Sequence, residues 1–234
     1  MNGMLIAVAI IFLAGLIIGY ARGFIKIVAS FAITIASIVL VMFLSPYVSE
    51  FILKNTPIEK MVQEKCIEML APDGEELKDA LKGEYTREEQ ISLIENAKVP
   101  SMIEKLLLDN NNSEMYETLG VKTFGEYLSK YLAKLIADIL AFLVTFIVVT
   151  IVARIVLGVL GIIGKLPIVG GLNRIAGGIL GIASSLIIVW ILFVVLTLIY
   201  QTEFGVTCFA DIGKSEFLTF LYDNNVLMKY IGGL

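Results

Sequence analysis

The sequence predicts an all-α, polytopic membrane protein: four transmembrane helices in two hairpins, with a helical extracytoplasmic insert between spans 2 and 3. Three observations predict it. Hydrophobic residues make up 58% of the chain and charged residues 17%, and the mean hydropathy is +0.87, too apolar for a soluble domain with an ordinary surface. Four stretches are apolar and long enough to cross a bilayer core, which takes about 20 helical residues. Most of the charge, 28 of 40 charged residues, lies between Glu50 and Lys134, leaving the flanks sparsely charged. The organisation that follows is a first transmembrane hairpin (1–46), a polar helical insert (47–130), a second hairpin (131–200) and an extracytoplasmic tail (201–234).

The spans read as Met4–Tyr20, Ile25–Leu44, Leu135–Leu157 and Ile175–Tyr200. The first is a retained helix rather than a signal peptide, because Met1-Asn2-Gly3 carries no positive side chain, no small-residue cleavage site is evident and a second span follows almost at once. Orientation comes from Lys and Arg in the short connections. Arg22 and Lys26 lie between spans one and two, and Arg154, Lys165 and Arg174 lie around the connection between spans three and four; neither connection has an Asp or Glu. The positive-inside rule then puts both connections in the cytoplasm and both termini and the insert outside. With both turns on one side, any relation between the hairpins is a parallel repeat.

The insert reads as short helices with explicit start signals. Thr56-Pro57-Ile58-Glu59 combines a cap, a proline at the first helical position and an acid three residues after the cap. Asp73-Gly74-Glu75-Glu76 and Thr86-Arg87-Glu88-Glu89 repeat the cap-plus-acid pattern, Gly83 ends a helix and Pro100 begins one. Met61, Cys66, Met69 and Leu70, then Ile91, Leu93, Ile94 and Ala97, recur at helical spacing, and Asn110-Asn111-Asn112 is a loop. A further box, Thr123-Phe124-Gly125-Glu126, opens a helix that nothing breaks until about Leu157, so its first turns stand above the membrane. Lys130, Lys134 and Asp138 share one face of it, and Lys134 and Asp138 can pair as an interfacial anchor. The alternative role for Asp138 is to line a polar path.

Several chemistries find no support. Histidine is absent, which removes imidazole bases and His-containing metal sites. Cys66 and Cys208 have no metal-type spacing, and whether they pair is open. Glu75, Glu76, Glu88 and Glu89 are first-turn acids favoured by the helix dipole rather than an acid/base pair. No basic stripe points to nucleic acid, and no catalytic, cofactor or metal constellation is present, so the expectation is a non-enzyme.

Inside the membrane the informative residues are small. Gly15, Gly19 and Gly23 form one face of the first helix, and Asn173, Gly177, Gly181 and Ser185 form one face of the fourth. Such faces let backbones approach closely. Intramolecular packing is one reading and a homo-oligomer seam the other. The connection Gly158–Leu172 is apolar yet rich in Gly and Pro, as suits an interfacial or re-entrant loop; its Lys165 is followed by Leu166, so it is no phosphate loop.

Gly19-Tyr20-Ala21-Arg22-Gly23-Phe24-Ile25-Lys26, followed by Ser30, resembles the first-hairpin signature of the CvpA (colicin V production protein) family. Lys165-Leu166-Pro167, Gly170 and Asn173-Arg174-Ile175-Ala176-Gly177-Gly178-Ile179-Leu180-Gly181 resemble its second recurrent stretch, and Ser215–Leu227 is similar to the ends of its longer members. The motif residues carried over are Gly19, Tyr20, Arg22, Gly23, Phe24, Asn173, Arg174 and Gly177. The resemblance implies a bacterial plasma- (inner-) membrane protein associated with toxin (colicin V-type bacteriocin) production or export, without established catalytic residues. The large insert departs from the short family members. Two functions stay open: a non-enzymatic scaffold for secretion and envelope processes, whose insert binds an envelope or secretion protein, and an oligomeric channel or transporter for a small solute. In the tail, Phe217, Leu218, Leu221 and Tyr222 are expected to lie on the membrane or on the insert.

Overall fold

The structure, a computed structural model, describes residues 2–70, 84–97, 99–159 and 171–233, and every regular element among them is a helix. In chain order these are α1 (Gly3–Arg22), α2 (Phe24–Asn55), α3 (Ile58–Leu70), α4 (Arg87–Asn96), α5 (Ser101–Asn110), α6 (Ser113–Leu119), α7 (Phe124–Val159), α8 (Gly171–Leu198), α9 (Glu203–Gly213), α10 (Glu216–Asp223) and α11 (Val226–Gly232). The cap expected at Asp73–Glu76, the helix end at Gly83 and the Lys165-Leu166-Pro167 and Gly170 positions lie outside the described residues. Gly158 and Val159 belong to the last turn of α7, and Gly171 and Leu172 to the first of α8, so helix takes both ends of the expected Gly158–Leu172 loop.

Four helices, α1, α2, α7 and α8, are long and apolar enough to cross a membrane. Two of them outrun the hydrocarbon. The 36 residues of α7 span about 54 Å at 1.5 Å per residue, against a core of about 30 Å. The 32 residues of α2 continue through Pro46, which cannot donate to the helix ladder, to Asn55. The chain divides into two compact units, Met1–Ser45 with Phe142–Leu227 and Pro46–Ala141 with Met228–Leu234. The C-terminal tail is therefore shared between them.

In the first unit, α1 and α8 run antiparallel, with Ile11, Gly15, Gly19 and Gly23 facing Ser185, Gly181, Gly177 and Asn173 in turn. At the start of α1 the Asn2 Oδ1 accepts the Leu5 N–H at 2.9 Å. The first turn of α1 contains no acidic residue of its own. Asp211 of α9 supplies one, its Oδ2 accepting the N–H of Gly3 at 2.7 Å and of Met4 at 3.4 Å, where a carboxylate offsets the helix dipole.

The tail packs differently from the surface role expected of it. Leu218, Leu221 and Tyr222 are buried, at 0%, 7% and 1% exposure. Tyr222 stands edge-on to Phe193 of α8 at 5.6 Å and to Phe209 of α9 at 5.3 Å. A buried phenol needs a polar partner, and Thr197 Oγ1 shares a hydrogen bond with it at 3.2 Å. Burial raises the Tyr222 pKa above its ordinary value. Trp190 Nε1 donates to the Leu221 carbonyl at 3.2 Å, and Asn225 Nδ2 donates to the Trp190 carbonyl at 2.9 Å. Of the four residues expected at the surface, Phe217 alone is exposed, with its ring 6.4 Å from that of Phe12.

The second unit is built on tyrosines and caps. Tyr116 and Tyr127 stack at 5.1 Å, and Tyr127 donates to the Leu107 carbonyl at 2.7 Å. Tyr131 donates to the carbonyl of Gly232, which fixes the chain's last helix beside α7. Around them Ile94, Met102, Leu106 and Leu107 are buried. Thr86 and Glu89 form a full capping box at α4. The N–H of Thr86 holds the Glu89 carboxyl below its ordinary pKa. Thr123 and Glu126 make the same reciprocal pair at α7, with bonds of 3.3 and 3.4 Å. The expected cap at Thr56 is turned around: its hydroxyl donates back to the Ile52 carbonyl at 2.7 Å, because α2 runs on to Asn55 and leaves terminal carbonyls to satisfy. The loop expected at Asn110–Asn112 shrinks to a junction, with Asn112 capping α6 by accepting the Met115 N–H at 3.0 Å. Cys66 and Cys208 are both free and buried thiols; burial pushes Cys66 up to about 12 and also raises Cys208.

Candidate functional site

The small-residue faces meet along the antiparallel contact between α1 and α8. A Cβ on Gly15 would come within 2.6 Å of the Gly181 carbonyl oxygen, and one on Gly177 within 2.8 Å of Gly23 Cα. The obstacles are backbone, which has no rotamer to escape into, so these positions hold the helices at a separation only glycine permits. Ser185 continues the seam, its hydroxyl donating to the Ile11 carbonyl across the contact and to the Gly181 carbonyl on its own helix, both at 3.1 Å.

Gly23 ends the seam at the α1–α2 turn. Its φ of 77° lies in the left-handed region, and its N–H closes α1 on the Gly19 carbonyl at 2.9 Å. Asn173 Oδ1 accepts the N–H of Ile25 in the first turn of α2 at 3.4 Å. The two chain segments carrying the motif residues are thereby tied at one point. Of the remaining motif positions, Tyr20, Arg22, Phe24 and Arg174 are exposed.

Beside this turn lies a cavity of about 380 Å³ that single-sequence reasoning does not find. Arg22, Lys26 and Arg154 line it together with hydroxyl-bearing side chains. From α2 come Ser30, Thr34 and Ser37, which follow Lys26 at helical spacing, and from α7 comes Thr150, one turn before Arg154. Thr34 donates its hydroxyl to the Ser30 carbonyl at 3.0 Å, leaving its lone pairs to the cavity. The Thr150 oxygen is buried without a hydrogen-bond partner. None of the three cations has an ion-pair partner among the described residues. The sequence explains why, since there is no Asp or Glu before Glu50, and none between Asp138 and Glu203. Asp211, the carboxylate that caps α1, does so at the opposite end of that helix, about 30 Å away along 20 residues. In the sequence the three cations serve only to orient the chain; the signal for the cavity is the recurrence of hydroxyls behind Lys26 on one face of α2.

In the second unit, Lys134 and Asp138 form an ion pair at 2.7 Å, and Ser49 of α2 donates to the other oxygen of Asp138. The carboxylate is mostly covered, at 12% side-chain exposure, and spends both oxygens on these partners.

Residues 118–225 match the family model of the colicin V production protein. No curated protein and no solved structure matches the chain. The match to the colicin V production family supports the resemblance read from the motifs, and it runs over α7, α8, α9 and α10. It therefore includes Asn173, Arg174, Gly177, Gly181 and Ser185, together with the buried tail residues Leu218, Leu221 and Tyr222. Gly15, Gly19 and Gly23 lie outside the matched stretch, yet they form the other half of the α1–α8 seam.

Proposed function

We propose that the chain is a multi-pass protein of a bacterial inner membrane that takes part in producing or exporting a colicin V-type toxin, as a non-enzymatic scaffold. The observation that carries this reading is the match to the colicin V production family over residues 118–225, in a chain with four helices able to cross a membrane. Both short connections face the cytoplasm on the strength of Arg22, Lys26, Arg154, Lys165 and Arg174, and the insert and both termini face outward. The insert's role is to bind an envelope or secretion protein. Expression of the full chain in a toxin-producing strain lacking its own family member should restore toxin in the medium. A chain that reaches the membrane at normal levels and restores none would count against the reading.

A second reading, an oligomeric channel or transporter for a small solute, draws on the hydroxyl-lined cavity between α2 and α7. Liposomes holding the purified chain should then pass solute faster than empty ones, and Gly177→Leu should abolish the difference. Equal flux from both kinds of liposome removes this reading.

A further inference from the structure

The geometry points to the cavity at the α1–α2 turn as a binding site for a phosphate-bearing anion. Lys and Arg at the ends of membrane helices ordinarily snorkel outward to water as separate anchors. Here Arg22, Lys26 and Arg154 come from three different helices and line one cavity. Arg22 and Arg154 are exposed and Lys26 half-buried, and with no carboxylate among the lining residues their combined positive field favours an anion in the cavity. The hydroxyls suit the same ligand. A phosphate group presents several acceptor oxygens at once, which two guanidinium forks, an ammonium and serine or threonine hydroxyls can share. The buried oxygen of Thr150 lacks a partner in the protein and lies one helical turn from Arg154, where it can donate to such an oxygen. A cavity of about 380 Å³ falls in the range of small-molecule sites, which begins near 300 Å³. A halide would leave most of it empty, and a carboxylate would use fewer of the donors. The phosphate can belong to an anionic lipid headgroup or to a soluble compound, since both present the same oxygens.

The test uses the full chain in detergent. Native mass spectrometry compares retention of phosphatidylglycerol with that of phosphatidylcholine, and equilibrium dialysis measures labelled inorganic phosphate. At least one anionic probe is expected to bind the wild-type chain above the phosphatidylcholine level. Loss of charge-assisted bonds in the Arg22→Gln, Arg154→Gln double variant should weaken it about ten-fold or more, and Thr150→Val several-fold. Lys105→Gln, an exposed cation elsewhere, should bind as the wild type does. Preference for phosphatidylglycerol alone identifies a headgroup, and binding of inorganic phosphate identifies a soluble ligand. If the double variant elutes as aggregate, Lys26→Met decides by the same measure. The inference is overturned if no anionic probe exceeds phosphatidylcholine, or if variants that elute like the wild type bind as it does. Neither outcome bears on toxin restoration, so the site and the proposed function fail separately.

Discussion

Gly19 and Gly177 meet backbone to backbone: a Cβ on either would fall on the carbonyl oxygen of the other. Each glycine is thus the reason the other cannot be replaced. Gly19→Ala or Gly177→Ala should cost about 1–3 kcal/mol, the usual range for forced overpacking. Denaturant titration in detergent measures it. Gly213→Ala is the control, because a Cβ there meets nothing within 4 Å. Equal midpoints for all three variants would contradict the seam.

Asn225 is fully buried, donating to the Trp190 carbonyl at 2.9 Å and accepting the Leu227 N–H at 3.0 Å. Asn225→Ala leaves the buried Leu227 N–H without its acceptor and removes the second donor to the Trp190 carbonyl, a loss of about 1–3 kcal/mol for the group left unsatisfied. Trp190 is the single tryptophan of the chain, so its fluorescence reports the site directly. Emission should shift to the red in the variant, with the unfolding midpoint lowered. An unshifted spectrum would mean that the tail does not depend on this residue.

Cys66 is 2% exposed and its pKa is pushed up to about 12, so little thiolate exists at neutral pH and little of it is reachable. In the folded chain, maleimide should leave Cys66 unmodified between about pH 7 and 9, and unfolding in strong detergent should make it reactive. Peptide mass mapping separates it from Cys208. Rapid labelling of folded Cys66 would refute the burial of this thiol.

The α4 capping box sets a pH dependence whose sign follows from Glu89. Its carboxylate is held below the ordinary 4.5 by the Thr86 N–H, so the cap is intact above that value and is lost as pH falls through the lowered one. Hydrogen exchange at Arg87–Gln90 should therefore exceed that expected from pH alone only below about pH 4.5, and Glu89→Gln should blunt the change. Protection that stays constant down to pH 3 would exclude the box as the cause.

Spans and seams were legible in different degrees. A run of apolar residues marks a helix such as α8, and four-residue spacing puts Gly177, Gly181 and Ser185 on one face, because both follow from helix geometry alone. Which face receives them does not, since pairing depends on a second helix more than a hundred residues away. The tail was ambiguous for another reason. Leu218, Leu221 and Tyr222 present the same amphipathic pattern to a membrane surface as to a protein groove, and only the polar partners Thr197 and Trp190 distinguish the two. Thr56 was misread because a threonine after a helix and a threonine before one look alike until the preceding helix is seen to reach Asn55. The cavity was hidden because serine and threonine inside a membrane helix can satisfy themselves on the preceding turn, as Thr34 does on Ser30.

The bond between Gly3 and Asp211 also sets an order in time. It joins residues 208 positions apart, so a ribosome adding about 5–20 residues per second delivers the carboxylate some 10–40 s after the amide it receives. Ser185, which meets Ile11, comes 174 positions after its partner. Helix α1 thus leaves the ribosome long before the neighbours it packs against, and through that interval its glycine face and its open N-terminal turn are left to the lipid or to whatever protein attends the nascent chain.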